Sequence, residues 1–551
     1  MKNLKLFGDT ELVPGTVHLV DVEGNLHVKK NKGGNEKIIL RPPPSSDPND
    51  PLRWSRKKKL FQFFLLFWLG VFLAITVAWS SPSWLIISSD LDTTVARMND
   101  AMALTFCGLG LGCVFLQPTA LKLGRRFVYL FCCVLMMVGN LVGSQAKGIS
   151  YIFGAFFITG FAAAPCDSLL EISSCDVFFQ HERASFLSLF ILALYFGNYI
   201  APAISGYVVE SLGWKWSYYL QIILFGASFV LLFLFMEDST FRRTEDDETF
   251  EENIMEQIKS RESTKEHNNV AITDGTSDNY DEDSDYTDPS IPVRSIWQRR
   301  QIIQLTYNDT RSWLCIWYRP FFLVTLPPVV WGGLIYGAQM MWLSLIAVTQ
   351  ATIYQSPPYN FSPSTTGLIN FSPLVGNIFG MMYGGKFVDW LSIKLSQRNN
   401  GIMEPEFRLY AMIVPTILNA IGLMTYGIAN HNGAPWPISV IIGIGCLGFA
   451  MTSTGAITLT YAIDCYPKLQ SESMVLMLFI RNMIGMVFTL IFSYWLAASG
   501  LKQLTWLLFM LSLLINGSFI IFIFYGKRIR RWTSETYFRV SDPNYGELFK
   551  N

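Results

Sequence analysis

Charge is what this sequence has least of. Charged residues make up 15% of its 551 positions, where soluble domains average about a quarter. The formal net charge is zero, which removes any bulk electrostatic basis for a nucleic-acid partner. Histidine is scarce as well: His18, His27, His181, His267 and His431 all fall outside the long apolar runs. A histidine proton relay within those runs is therefore not expected. Of nine cysteines, Cys107, Cys113, Cys132, Cys133, Cys166 and Cys446 lie inside apolar runs. Cys175, Cys315 and Cys465 lie at run ends that the charge pattern assigns to the cytoplasm. None falls in an external loop, so neither a disulfide framework nor a metal site is expected. The first 50 residues lack an apolar h-region, and no cleavable signal peptide is expected.

What is abundant is hydrophobic residue, 51% of the chain, with a mean hydropathy of +0.31. Twelve stretches are long enough to cross a bilayer, which takes about 20 apolar residues in a helix. They lie near 60–81, 100–121, 127–146, 150–171, 184–208 and 216–236, then 321–348, 366–388, 409–429, 437–463, 473–497 and 503–525. Lys and Arg set the orientation. Arg53, Arg56, Lys57, Lys58 and Lys59 precede span 1, Lys122, Arg125 and Arg126 follow span 2, and Lys527, Arg528, Arg530 and Arg531 follow span 12. The alternate loops hold only Arg97, Lys147, Lys215 and Lys502. Both termini are thus expected in the cytoplasm. The expected organisation is a cytoplasmic tail (1–59), a six-helix bundle (60–236), a cytoplasmic loop (237–320), a second six-helix bundle (321–526) and a short tail (527–551). Within the loop, 244–288 holds 16 acids against Lys259, Arg261 and Lys265, a composition that reads as a disordered linker. The stretch 294–319 is basic, with Trp297, Trp313 and Trp317, and suits a helix at the membrane surface.

Several local patterns carry a more specific resemblance. Span 5 contains Gly197-Asn198-Tyr199-Ile200-Ala201-Pro202-Ala203-Ile204-Ser205-Gly206. Its small residues form a stripe that lets helices approach, and Pro202 bends the span. Leu121-Lys122-Leu123-Gly124-Arg125-Arg126 follows span 2, and Gly385-Lys386-Phe387-Val388-Asp389 follows span 8. Asp47-Pro48-Asn49-Asp50-Pro51-Leu52-Arg53-Trp54 leads into span 1. Further signatures are Asp176 to His181, Glu404 to Leu409, Tyr461 to Pro467 and Tyr525 to Arg530. Together these resemble the major facilitator superfamily. Within it they resemble the fungal drug:proton antiporter-type family with twelve spans, in the subgroup that includes the yeast histidinol and polyamine transporter. The resemblance runs from about residue 12 to the last span. It implies an all-α membrane fold of two pseudo-symmetric six-helix bundles, alternating access about a midplane site, and conformational roles for Gly197, Pro202, Gly206, Gly124, Arg125, Arg126, Gly385 and Asp389. Departures are Gln117 and Leu121, where the first loop motif has glycine and an acid, and Ala201, where the antiporter motif has glycine. Gly443-Ile444-Gly445-Cys446-Leu447-Gly448 matches a dinucleotide fingerprint, but it lies inside a span with no preceding strand.

Ionisable groups at membrane depth are costly and mark function. Asp167 and Glu171 lie four apart on span 4, on one helical face, and are the proton-coupling candidates. Arg481 and Asn482 lie deep in span 11. With Gln339, Trp342 and Tyr199 they are candidates for substrate contact, Arg481 also as a counter-charge to an acid across the halves. The resemblance implies extra acids for polyamine-type relatives at places that here read Ala163, Met340 and Ala456, so a polyamine is not expected. Trp79, Trp84, Tyr195, Trp331, Tyr336 and Asn370 add to a set that suits a neutral or weakly anionic, partly aromatic molecule. The expected protein is a monomeric, proton-driven plasma-membrane transporter with no cofactor and no enzymatic activity. Drug or toxin efflux is the first reading. Uptake of an iron chelate, such as a siderophore or pulcherriminic acid, or of a nutrient is the second. A non-transporting sensor on the same fold is a third, disfavoured by a tail of only 25 residues after span 12. Asn360 lies in the external loop after span 7 within Asn360-Phe361-Ser362, and is the expected glycosylation site.

Overall fold

The computed structural model describes residues 13–18, 47–178, 180–239, 293–303, 312–399 and 402–541. The acidic run 244–288 lies outside them. The described residues are nearly all helical; the exception is a short antiparallel pairing of β1 (Val17–His18) with β2 (Ile402–Met403). Helix is what a bilayer demands, because backbone N–H and C=O groups must pair within their own segment. Among the described residues, eight continuous helical stretches are long and apolar enough to cross a membrane. They include span 1 (Arg56–Ala78), span 2 (Val95–Leu123), span 3 (Arg125–Ser144), span 6 (Trp214–Phe235) and span 7 (Pro327–Tyr354). Spans 9 and 10 end in Ile413–His431 and Gly445–Cys465. Spans 11 and 12 form one stretch, Gln470–Gly517, that turns at Gly500 (φ 70°) and resumes as Phe519–Trp532. Span 5 is Gln180–Leu212. Its neighbours 4 and 8 are interrupted. Large apolar side chains such as Ile223, Leu514 and Phe524 stay exposed on the outer faces, where lipid would cover them.

The two halves repeat one neighbour pattern. Span 2 packs on 4, span 3 on 6 and span 1 on 5; span 8 packs on 10, span 9 on 12 and span 7 on 11. Each pair in the second half is the first-half pair shifted by six spans. Small residues set the closest approaches. A Cβ on Gly160 of span 4 would clash with the carbonyl oxygen of Thr105 in span 2, and one on Gly376 of span 8 with that of Gly445 in span 10.

The described segments nearest the two termini meet at one face, where Arg530 donates to the carbonyl of Pro14. We call this the terminal face and its opposite the far face. Between the halves, the far face is closed by Gln350 Nε2 donating to Ser81 Oγ (2.7 Å), Gln355 Nε2 to the Pro82 carbonyl (3.1 Å) and Asn99 Nδ2 to Ser493 Oγ (2.5 Å). At the terminal face Gln117 Nε2 donates to Ser471 Oγ (2.8 Å). Part of the expected surface helix is present as Trp313–Phe322. It does not lie apart on the surface. It bridges the seam, with Trp317 against Phe115 of span 2 (5.1 Å between ring centroids) and Phe321 against Phe479 of span 11 (5.4 Å).

Two expectations need correction. Span 4 is not continuous over 150–171: helix Ile149–Ala163 stops, Ala164–Cys166 forms a tighter turn, and helix resumes at Leu169–Val177. Pro165 is the cause, since it lacks the N–H that would continue the ladder. Gly385 is not in a tight loop. It lies in a π-helical turn, Tyr383–Phe387, that carries span 8 on into Val388–Arg398, and a Cβ there would meet nothing within 4 Å.

Candidate functional site

The break in span 4 delivers Asp167 to the seam. Beyond Pro165 the chain leaves helical geometry at Ser168 (φ −134°, ψ −60°), and Asp167 caps the turn. Span 2 holds this segment from behind: a Cβ on Gly112 would lie 2.5 Å from the Cβ of Ala164, and Cys113 Sγ lies 3.9 Å from the Ala164 carbonyl oxygen. Gly110, one helical face away, meets Met483 and Asn482 of span 11. The glycine run of span 2 therefore makes a thin wedge that lets spans 4 and 11 both close on it. Gly108, Gly110 and Gly112 were a readable signal for this, at alternate positions in one span.

Across the seam Asp167 accepts a charge-assisted hydrogen bond from Arg481 Nη2. The arginine side chain is only 5% exposed and the aspartate 17%. Arg481 Nη1 donates to Tyr336 Oη of span 7 (3.1 Å), and Nε and Nη2 donate to Asn482 Oδ1 (3.3 and 3.1 Å). The guanidinium also stands 4.8 Å from the centroid of the Tyr336 ring, a cation–π distance. From span 5, Tyr195 and Tyr199 stack with ring centroids 6.5 Å apart. Both hydroxyls lie in the buried polar cluster, Tyr195 near Tyr336 and Thr452 and Tyr199 near Asn377, and Tyr199 Oη makes no hydrogen bond among the described residues. Thr452 in turn donates to Asn377. One cation, one carboxylate, three phenols and three small polar groups thus converge from spans 4, 5, 7, 8, 10 and 11. Such a set can bind a small polar molecule and can exchange the partner of a buried charge.

Other candidates are placed elsewhere. Glu171 stands in Leu169–Val177, but its side chain lies outside what the structure describes. Gln339 does not face the seam; its Nε2 donates to Asn516 Oδ1 of span 12 (3.0 Å), inside the second half. Trp342 is fully buried and packs against Phe488 of span 11 (6.5 Å). Trp79 and Trp331 are fixed by Ser217 and Ser518 (2.5 and 2.8 Å), and Asn370 donates to Gln350 (3.0 Å). In this structure these side chains are engaged by neighbouring residues.

In span 5, Gly197 packs on the backbone of Val71 in span 1, while Gly206 packs on Pro363. The Pro202 carbonyl faces Gly367 at the start of span 8. After span 2, Gly124 adopts φ 91°, the turn that glycine permits. Arg125 donates to Ser173 (3.3 Å) and Ser239 (3.5 Å), and Arg126 to the Phe233 carbonyl (2.5 Å). The motif has Leu121 where the family has an acid, and Asp238 and Glu237 stand close enough to act on the charge of Arg126. Asp389 accepts from Arg408 (2.7 Å), which also donates to Asp464 (2.7 Å). Glu406 binds Arg530 through two hydrogen bonds (2.9 and 2.7 Å), and Glu404 pairs with Lys527. The signatures before span 9, after span 10 and after span 12 are thus parts of one charge lattice at the terminal face.

Comparison with known proteins agrees with this architecture. The family profile of the Major Facilitator Superfamily matches residues 64–475. Protein HOL1 of Saccharomyces cerevisiae is 27% identical, over 96% of this chain and 97% of its own. An MFS-type transporter of Schizosaccharomyces pombe is 29% identical, over 96% and 95%. MFS transporter cpaT of Aspergillus oryzae is 26% identical, over 91% and 93%. Among solved structures, the proton:xylose symporter XylE shares the fold at a TM-score of 0.57 and 10% identity, covering 85% of this chain and 97% of its own. The chain belongs to the Major Facilitator Superfamily. It is a multi-pass membrane transporter, related to HOL1 and to other fungal MFS-type transporters.

Proposed function

We propose that the protein carries a small organic molecule across the plasma membrane by alternating access, driven by the proton gradient, with both termini in the cytoplasm. The observation that carries this reading is the ion pair between Asp167 and Arg481, which joins span 4 of one half to span 11 of the other. A bond across the seam has to rearrange when the halves rock. A carboxyl can accept a proton where an arginine cannot give one up, so protonation of Asp167 is the step that frees the seam. The energy source is then the gradient, and no cofactor is required.

The likeness to antiporter-type relatives supports efflux of toxic compounds as the first reading. The ion pair supports a second reading, uptake of an anionic molecule such as an iron chelate, because the site presents a buried arginine whose one charged partner among the described residues is Asp167. Deleting the gene separates the two: drug sensitivity marks export, and failure to grow on one iron chelate marks import. Asp167→Asn, returned to the deletion strain, should reach the membrane at normal levels and lose pH-driven transport of whichever compound the screen identifies. Undiminished flux across a proton gradient would sink the coupling role.

A further inference from the structure

We propose that the transported molecule is an organic anion whose carboxylate or enolate oxygens replace Asp167 on Arg481, so that anion and proton are carried together. The inference rests on the proton-coupled reading above. It starts from what a buried arginine requires. The guanidinium stays charged throughout a transport cycle, and an uncompensated buried charge is strongly unfavourable. Arg481 therefore needs an anionic partner in every state. Asp167 fills that place in this one.

Once Asp167 takes a proton, its claim on Arg481 weakens and the place falls open. Apart from Asp167, the groups among the described residues that face the arginine are neutral: Tyr336 on span 7, Asn482 on span 11 and Tyr195 on span 5. Cys113 on span 2 is a thiol, and Glu171 on span 4 has no described side chain. An anion from solution supplies what these groups do not. A cation would meet the arginine's charge, and a neutral molecule would leave it unpaired. The fork of Nη1, Nη2 and Nε suits two oxygens of one planar group. The ring of Tyr336 beneath the guanidinium and the stacked Tyr195 and Tyr199 beside it provide aromatic walls, which suit a flat, partly aromatic body.

The charges balance. A proton from the open side bonds to Asp167 Oδ2, the Asp167–Arg481 contact breaks, and the substrate anion takes its donors. On the other side Asp167 releases that proton, its carboxylate returns to Arg481, and the anion leaves. One negative and one positive charge cross together, so the step is an electroneutral symport. An inward-directed proton gradient then drives uptake, which favours the second reading above.

Benzoate, benzamide and benzylamine make a matched set of anion, neutral molecule and cation for testing this on the purified full-length protein. The readout is thermal unfolding at constant ionic strength. A ligand that binds only the folded state raises its stability in proportion to RT ln(1 + [L]/Kd). In Asp167→Asn, benzoate should raise the melting temperature with an apparent affinity roughly tenfold above that of the wild type at about pH 7.5. In the wild type the benzoate shift should be smaller at the same concentration, because Asp167 holds Arg481. Arg481→Gln and the double variant should show no shift, and Arg481→Lys a weakened one. Should Asp167→Asn prove unstable, Asp167→Ser against Arg481→Gln gives the same comparison. The proposal is overturned if benzamide or benzylamine stabilises as well as benzoate, if Arg481→Gln keeps the shift, or if benzoate produces none. Absence of the benzoate shift together with loss of pH-driven transport in Asp167→Asn would remove the anion assignment and leave proton coupling standing. The reverse pair of results would remove proton coupling and leave an anion site.

Discussion

At the scale of single residues, the site depends on how one guanidinium is shared. Arg481 divides its donors among Asp167, Tyr336 and Asn482. Tyr336 does two things: its hydroxyl accepts from Nη1, and its ring lies under the cation. Tyr336→Phe separates them, because only the oxygen is lost. A hydrogen bond to a charged group contributes about 1.5–3 kcal/mol, so pH-driven transport should fall roughly tenfold to a hundredfold, with surface expression unchanged. Tyr336→Leu, which removes the ring as well, should fall further. Transport at the wild-type rate by Tyr336→Phe would show that the hydroxyl has no positioning role. Sequence reading found Asp167, Arg481, Asn482 and Tyr199 as polar groups at depth, since each is rare there and stands out locally. It could not separate Tyr336 from Trp79 or Trp331, because an aromatic in a span looks the same whether it packs or binds. Only the partner of each ring distinguishes them: Arg481 donates to Tyr336, whereas Trp79 and Trp331 donate to Ser217 and Ser518.

At the scale of elements, interruptions do the positioning. Pro165 breaks span 4 and turns Asp167 toward the seam, while glycines in span 2 allow spans 4 and 11 to close on it. The proline was visible in the sequence, but the consequence was not, because a span with one proline can bend as a whole or break in two. Neighbouring helices decide which. The loop after span 7 makes a second test at this scale. Asn360 is exposed, with φ 51°, and the hydroxyl of Ser362 in its sequon caps the helix that begins at Pro363. That side chain is open to a glycosyltransferase, whereas Asn370 and Asn516 are buried at 5% and 0% exposure. We expect enzymatic removal of N-glycans to shift the protein on a gel, and Asn360→Gln to abolish the shift. A wild-type protein with no shift would place this loop on the cytoplasmic side or leave the site unoccupied.

At the scale of the whole molecule, charge is concentrated where the segments around Pro14 and Arg530 meet. Glu406 and Arg530 are 6% and 0% exposed, and the Pro14 carbonyl joins them. Breaking a buried pair by removing one partner costs about 3–5 kcal/mol, because the other charge stays buried and alone. Glu406→Ala should therefore lower the thermal unfolding temperature substantially, and Glu406→Ala with Arg530→Met should recover much of the loss. Additive losses in the double variant would show that the two residues do not act as a pair. The motifs before span 9, after span 10 and after span 12 signalled the family, yet nothing local said that they form one lattice. Sequence by itself determined the membrane class, the twelve spans in two blocks and the polar groups at depth. Each follows from hydropathy and charge within a window of about 20 residues. Tertiary structure decided which of those groups meet. Asp167 and Arg481 lie 314 residues apart, and their contact depends on two helices from different halves closing on a third, which no local pattern encodes.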